Sequence, residues 1–161
     1  MPRAIATNIS KTTILTSLVT RGHTVIKSLS QVQHMMEYNG QEYFLIVLSK
    51  ARPGTFNNLK RLEHCVDQRH LDAAIHLKLP AYVIVLETMA QRVLIGNLNA
   101  IDIRSESINN CWVNSFARCD LKDITTAITG TDVPLDFEFN GTPYRDMPSA
   151  IEGEEPEDLV A

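Results

Sequence analysis

Two runs of six apolar residues, Tyr43–Leu48 and Ala81–Leu86, stand out in the hydrophobic pattern of the chain. A run of this kind has no polar face, so it predicts a strand that is covered on both sides, at the centre of a sheet. The first run ends in Ser49-Lys50, which places a hydroxyl and an ammonium at the rim of that sheet. Rims where buried strands end are typical places for sites in α/β proteins.

A strong turn signal, Asn39-Gly40, precedes the first run. Both residues tolerate positive φ, so they predict a two-residue hairpin turn that joins residues 32–38 to residues 41–49. In that register Glu37 lies directly opposite Glu42. Like charges in this position repel unless water solvates them or a cation bridges them. Solvation fits a pair beside a turn tip, and a bridging cation is the alternative.

Helical spacing of apolar residues predicts a first helix over residues 10–21, which Ser10 caps and Gly22 ends. The same signals predict helices over about 56–78, with Leu79-Pro80 as its stop, and over 120–130. Further strands are expected at 23–29, 81–87 and 92–97, and short extended pieces at 101–104, 111–116 and 135–139. This order predicts an α/β fold with a central mixed sheet, a β-hairpin and a βαβ crossover, flanked by helices.

Charge divides the chain unevenly. From Val133 onward there are eight acids and one base, a formal charge of −7, whereas residues 1–132 carry +3. We therefore predict one domain over 1–134, an extension over 135–150 and an acidic, disordered tail over 151–161. The tail serves solubility, or it shields a basic surface until a partner displaces it.

The apolar runs, the N-terminal pattern and the cysteines indicate in which compartment the protein acts and whether it associates with a membrane. The longest apolar runs fall far short of the roughly 18 residues that a bilayer span needs, and the N-terminus has no signal-peptide pattern. Cys65, Cys111 and Cys119 are odd in number and widely spaced, which favours reduced thiols over a disulfide framework or a zinc site. We expect a cytoplasmic protein with no membrane partner.

Over roughly residues 8–104, the order of helix, strand, hairpin, helix and two strands resembles the restriction-endonuclease-like core of the PD-(D/E)XK nuclease superfamily. The resemblance implies that Lys50 is the lysine that polarises the attacking water. It also implies carboxylates that hold Mg²⁺ on the same hairpin. The chain departs from that pattern, because Leu48 occupies the position of the glutamate two residues before the lysine. Around the position of the aspartate, residues 33–36, His34 is the only candidate.

Two carboxylates elsewhere offer replacements for the missing ligands. Glu37 on the hairpin and Glu63 on the following helix are the candidates for relocated metal ligands, so an active enzyme would use Lys50, Glu37 and Glu63 with Mg²⁺. The alternative is a core of this shape without a metal site.

Cations gather in residues 50–78. On the predicted helix, Lys60 and His64 lie four residues apart and share a face, and spaced cations are what phosphate contacts need. The candidate contacts to DNA or RNA are Arg52, Lys60, Arg61, His64 and Arg69.

Trp112 and Phe116, also four residues apart, are assigned to core packing, with a surface aromatic site as the alternative.

These observations favour a nucleic-acid-binding or regulatory protein on a catalytically degenerate endonuclease-like core. One alternative is an active Mg²⁺-dependent nuclease that cleaves phosphodiesters. Another is a non-catalytic factor of phage or mobile-element type, which contacts a protein partner through its acidic tail. Whether the chain forms homo-oligomers stays open at this point.

Overall fold

The computed structural model describes residues 8–56, 60–130, 133–135 and 141–145. These residues form a six-stranded mixed sheet, a three-stranded antiparallel sheet and three α-helices. The helices are α1 (Lys11–Thr20), α2 (Gln68–Leu77) and α3 (Thr125–Thr129). The strands are β1 (Thr24–Ser28), β2 (Gln33–Tyr38), β3 (Gln41–Lys50), β4 (Glu63–Val66), β5 (Ala81–Glu87), β6 (Arg92–Asn97), β7 (Arg104–Ile108), β8 (Cys111–Ala117) and β9 (Lys122–Asp123).

The main sheet has the order β1-β2-β3-β5-β6-β9. Its two central strands, β3 and β5, run parallel, and the pairs on either side of them are antiparallel. The connection from β3 to β5 passes through β4 and α2, so the predicted crossover is present. The α/β class, the mixed sheet and the hairpin are confirmed, and Glu37 pairs with Glu42 as the turn signal predicts.

Alternation along β3 and β5 sends side chains to two separate cores. Phe44, Ile46 and Leu48 face the side covered by α2 and the three-stranded sheet, whose order is β4-β8-β7. Tyr43, Leu45 and Val47 face the side covered by α1 and α3. All six are fully or nearly fully buried, and each such side chain contributes about 1.5–3 kcal/mol relative to an exposed position. The hydrophobic run is therefore the centre of the fold.

The predicted helix over 56–78 is wrong in its first half. Residues 63–66 form β4, whose residues His64 and Val66 point into the core while Leu62 is 52% exposed. The apolar spacing there fits both a helix and a strand, and pairing with β8 decides for the strand. The helix begins only after Asp67, whose side chain accepts a hydrogen bond from the backbone N–H of Arg69.

The predicted helix over 120–130 is also shorter than expected. Residues 122–123 pair with β6 as β9, and the backbone N–H of Ile124 donates to the carbonyl of Val93. Only Thr125–Thr129 is α-helical, because the sheet edge takes the backbone hydrogen bonds that a longer helix would need.

Segments 141–145 and 133–135 are the described parts of the C-terminal region. Tyr144 is buried in the core on the α2 side, and its backbone N–H donates to the carbonyl of Leu79. The tail over 151–161 and most of the strand predicted at 135–139 lie outside the described residues. None of the described helices has the length and apolar composition needed to cross a bilayer.

Gly96 is buried in β6 at a place where no side chain fits. A Cβ there would lie 2.5 Å from Cδ2 of Leu121 and 3.1 Å from Cγ2 of Ile101. We expect Gly96→Ala to lower the free energy of unfolding by about 1–3 kcal/mol, as overpacking does. Chemical denaturation measures this, and Leu121→Ala in the same chain should give a double variant less destabilised than the sum of the two singles. Strict additivity would contradict the overlap.

Candidate functional site

The carboxyl ends of β3 and β5 meet at one rim of the main sheet. Lys50 and Glu87 are register partners there, so their side chains lie on the same face, the one covered by the three-stranded sheet. The backbone N–H of Thr88 donates to the carbonyl of Lys50 at 2.8 Å, and that of Met89 donates to Ala51 at 3.0 Å. Pairing therefore continues past both strand ends and fixes the position of the rim.

Glu87 carries a buried charge that the surrounding side chains satisfy. Arg118 donates to both of its oxygens, from Nε to Oε2 at 2.7 Å and from a terminal nitrogen to Oε1 at 2.9 Å. His64 Nε2 donates to Oε2 at 2.7 Å. Burial by itself raises the pKa of Glu87, but the hydrogen bonds from Arg118 and His64, with their charges, outweigh burial and hold this pKa below its ordinary value. Glu87 is therefore an ionised anchor for two side chains.

His64 is the neutral member of this cluster. It is 1% exposed, and this burial lowers its pKa below 6.5 despite the opposing effect of Glu87. The charges of Lys50 and Arg118 lower the pKa further. Near neutral pH the imidazole therefore carries one proton, and the contact with the carboxylate places that proton on Nε2.

Lys50 lies close to several groups at once. Burial is the main cause that lowers the pKa of His70, and the charge of Lys50 lowers it further, as it does for His64. The same charge opposes the effect of burial on the thiol of Cys65. These groups belong to β4 and to the first turn of α2, so the charge of Lys50 acts on both of those elements from the end of β3.

Lys11, in the first turn of α1, adds positive charge near the same end of the sheet, although α1 covers the opposite face of the sheet from the Lys50 side chain. Its charge adds to the burial that lowers the pKa of His34, on β2, and of His70. Within the described residues, neither Lys11 nor Lys50 has a carboxylate within the 4.0 Å of an ion pair. We call these two residues the rim lysines. Since Arg118 already balances Glu87, the rim keeps a net positive charge.

The predicted catalytic residues do not come together. Glu37 lies at the turn end of the hairpin opposite Glu42, eight residues along β3 from Lys50, which is about 27 Å at ~3.4 Å per residue. Glu63 is on β4 rather than on a helix, and strand alternation turns it away from the face of His64. Its carboxylate accepts hydrogen bonds from Arg61 and from the backbone of Phe56.

Mg²⁺ does not fit the residues that the resemblance implies. Among the described residues there is no group of three histidine, cysteine, aspartate or glutamate side chains that could hold a metal ion. Glu63 is already neutralised by Arg61, and Glu87 by Arg118. Hard cations need carboxylate oxygens that are free to coordinate, so no metal-dependent step follows from this geometry.

The predicted nucleic-acid contacts are dispersed. His64 is buried and lies in a strand, so it shares no helix face with Lys60, which is exposed in the segment before β4. Arg61 pairs with Glu63, and Arg69 lies 3.4 Å from Asp67 at the solvent-exposed start of α2. Arg52 is exposed in the loop that follows β3. Of the predicted residues, Lys50 and Arg52 remain beside the rim.

Three residues of the site were missed. Glu87 ends the second buried run just as Lys50 follows the first, so the reasoning that selected Lys50 would also have found it. Lys11 belongs to none of the patterns that the sequence analysis singled out. Arg118 follows β8 and reaches the rim through the packing of the second sheet, which no local pattern predicts.

Comparisons with known proteins add no further constraint to this geometry. No protein-family model, no curated protein and no solved structure matches the chain.

Proposed function

We propose that this protein binds nucleic acid, and that the rim lysines hold the phosphate backbone on a core that resembles the endonuclease-like fold but is catalytically degenerate. The order α1, β1, β2, β3, α2 and β5 supports the resemblance, with β4 as an additional strand between β3 and α2. The observation that carries the function is the pair of lysines without an acidic partner among the described residues, beside a carboxylate that Arg118 already neutralises.

The chemistry of the rim favours phosphate over other anions of similar charge. A backbone of repeated phosphates needs several spaced cations rather than one closed pocket. Lys11 and Lys50 supply two cations from separate elements, and Arg52 adds an exposed guanidinium on the adjoining loop. Neutral His64 and His70 lie beside them without adding charge near neutral pH.

Removing the rim lysines should weaken binding in a salt-dependent way. We expect Lys11→Gln/Lys50→Gln to bind a fluorescein-labelled oligonucleotide about tenfold more weakly at low salt. Each phosphate contact releases counterions from the nucleic acid, and this release favours binding, so the loss of a contact weakens it. The slope of log affinity against log salt should become shallower by roughly 0.7 per contact for a single strand. Fluorescence anisotropy between about 50 and 200 mM salt measures both quantities.

Lys78→Gln is the matched control. Lys78 is exposed at the C-terminal end of α2, next to the start of β5, and so lies at the opposite end of the sheet from the rim. It should leave both affinity and slope unchanged. Absence of binding by the unaltered protein at low salt would refute the proposed function.

A cleavage assay separates binding from catalysis. Plasmid and single-stranded substrates are incubated with Mg²⁺ or Mn²⁺ and with either the unaltered protein or Lys50→Ala. We expect the unaltered protein and Lys50→Ala to show the same background level of cleavage. Cleavage that disappears in Lys50→Ala would replace the binding function with a nuclease activity.

A further inference from the structure

Trp112 is the sole tryptophan of the chain, and its side chain is 75% exposed. It was assigned to the core from sequence, and this is wrong. It is the second residue of β8, two positions after a hairpin turn whose two residues, Asn109 and Asn110, both have positive φ, 51° and 67°. This tight turn keeps β7 and β8 paired up to their tips. The indole is therefore presented to solvent by a paired ribbon rather than by a loose loop.

Strand alternation gives the direction in which Trp112 points. Phe116, four residues along β8, is fully buried in the core and pairs with His64 of the Glu87 cluster. Asn114 and Trp112 share its face. Trp112 is thus on the extension of the surface that covers the rim, about 13 Å along the strand from Phe116 at ~3.3 Å per residue.

The residues around Trp112 on this face are polar. Ser107 is its register partner, and the neighbouring pair is Ser105 and Asn114, whose side chains hydrogen-bond to each other. Asn114 Nδ2 also donates to Oε1 of Gln68 at 2.9 Å, which ties the ribbon to the first turn of α2. Aromatic anchors of protein interfaces lie in desolvated clusters with other large side chains. A lone indole among hydroxyls and amides is instead the arrangement that stacks on a nucleobase.

The charges of the ribbon agree with an anionic ligand. Its one carboxylate, Glu106, pairs with Val113 and so lies on the opposite face from Trp112. Arg69 and Asp67, at the exposed start of α2, pair with each other, so they add no net charge beside Gln68. Within the ribbon, no carboxylate lies on the face that carries Trp112.

From these observations we infer that Trp112 is a stacking platform for an unpaired base of a single-stranded nucleic acid whose backbone lies on the rim lysines, an inference that rests on the proposed function. In a duplex the base faces are covered by their neighbours, so a side chain that stacks on a base selects single strands.

The fluorescence of Trp112 reports stacking directly, because no other indole contributes. The probe is an oligothymidylate of roughly 16 nucleotides, titrated into the full chain at low salt while anisotropy of a labelled copy follows binding. We expect saturable quenching with the single strand. A duplex of equal length and an abasic strand should produce no quenching, although the abasic strand should still bind at the rim.

Substitutions separate stacking from backbone contact. Trp112→Ala should reduce single-strand affinity on the order of tenfold and leave the salt slope unchanged, while Trp112→Phe should retain most of the affinity. The side chain is exposed, so neither variant is expected to affect folding, and circular dichroism checks this.

The outcomes distinguish the two levels of inference. Binding without quenching, or equal affinity of Trp112→Ala and the unaltered protein, would overturn the stacking role and leave the rim as the binding surface. Equal quenching by duplex and single strand would overturn the selectivity for single strands. Absence of any binding at low salt would refute the proposed function itself.

Discussion

Glu87→Gln is expected to lower the free energy of unfolding by about 3 kcal/mol, the usual cost of breaking a buried ion pair from one side. The carboxylate accepts three hydrogen bonds, two from Arg118 and one from His64. A glutamine offers one acceptor oxygen and brings an amide N–H₂ toward the guanidinium of Arg118, which can only donate. The variant therefore leaves the guanidinium poorly satisfied and without a counter-charge at a site that is 2% exposed.

A surface ion pair in the same sheet provides the control. Arg92 and Asp123 meet at 2.9 Å, but their side chains are 55% and 40% exposed. Arg92→Gln should cost less than about 1 kcal/mol, because solvent and salt screen exposed pairs. Denaturant titration of both variants makes the comparison, and an unchanged m-value would confirm that only stability has changed. Similar small losses in both variants would show that Glu87 is not an ionised anchor.

Lower pH should reduce the difference in the free energy of unfolding between Glu87→Gln and the unaltered protein. The folded pKa of Glu87 lies below the 4.5 of an ordinary glutamate. A depressed carboxylate pKa contributes stability that is present above the unfolded pKa and is lost as pH falls through the folded pKa. The stabilities of the two proteins should therefore converge only below about pH 4.5.

Local sequence signals specify the centre of the fold well. Asn39-Gly40 predicts the hairpin, and the register of β2 against β3 follows, because a slip by one residue would turn the buried run of β3 to the wrong side. The first helix is equally clear, because Ser10 and Thr13 form a capping box. The side chain of Ser10 accepts from the backbone N–H of Thr13, and the side chain of Thr13 accepts from the backbone N–H of Ser10. These signals act over a few residues, so the sequence contains them directly.

The second sheet could not be read in the same way. The spacing of apolar residues before Asp67 fits a helix as well as a strand, and only pairing with β8, some fifty positions later, decides for β4. Trp112 was misassigned because long-range pairing also decides its burial. Trp112 and Phe116 share one face of β8, and the register and the length of the ribbon decide which of the two is exposed.

The candidate site could be predicted from the sequence only in part. Lys50 is identifiable because a polar residue at the end of a buried strand must lie at a rim, and Glu87 follows from the same rule applied to β5. The choice of Glu37 as a partner was wrong in position, since it assumed that a carboxylate anywhere on the hairpin could reach the rim. Pairing at the turn end places it at the far end of β3.

Acid should destabilise this protein well before its carboxylates are protonated. Burial lowers the pKa of His23 to about 4, from 6.5, and also lowers the pKa values of His34, His64 and His70. His23 is 4% exposed, its Nδ1 lies 2.8 Å from the hydroxyl of Tyr43, and its ring stacks on Tyr38 with 4.1 Å between centroids. Burial therefore disfavours the protonated form of this imidazole.

The sign of the pH effect follows from which state binds the proton. Between pH 6.5 and about pH 4 the unfolded chain protonates His23 and the folded chain does not, so the equilibrium shifts toward unfolding as pH falls. Stability is complete above pH 6.5. His23 alone should remove about 3 kcal/mol by pH 4, at ~1.36 kcal/mol per unit of pKa difference.

Chemical denaturation at a series of pH values measures this loss, and the slope of stability against pH is the quantity to compare. His23→Gln should have a shallower slope, by up to ~1.36 kcal/mol per pH unit, whatever its stability at neutral pH. His76→Gln, at an exposed position on α2, should leave the slope unchanged. Equal slopes for His23→Gln and the unaltered protein would mean that the folded state accepts the proton. Water entering the cavity of about 160 Å³ that His23 lines with Arg21, Tyr38 and Leu135 would then solvate the charge.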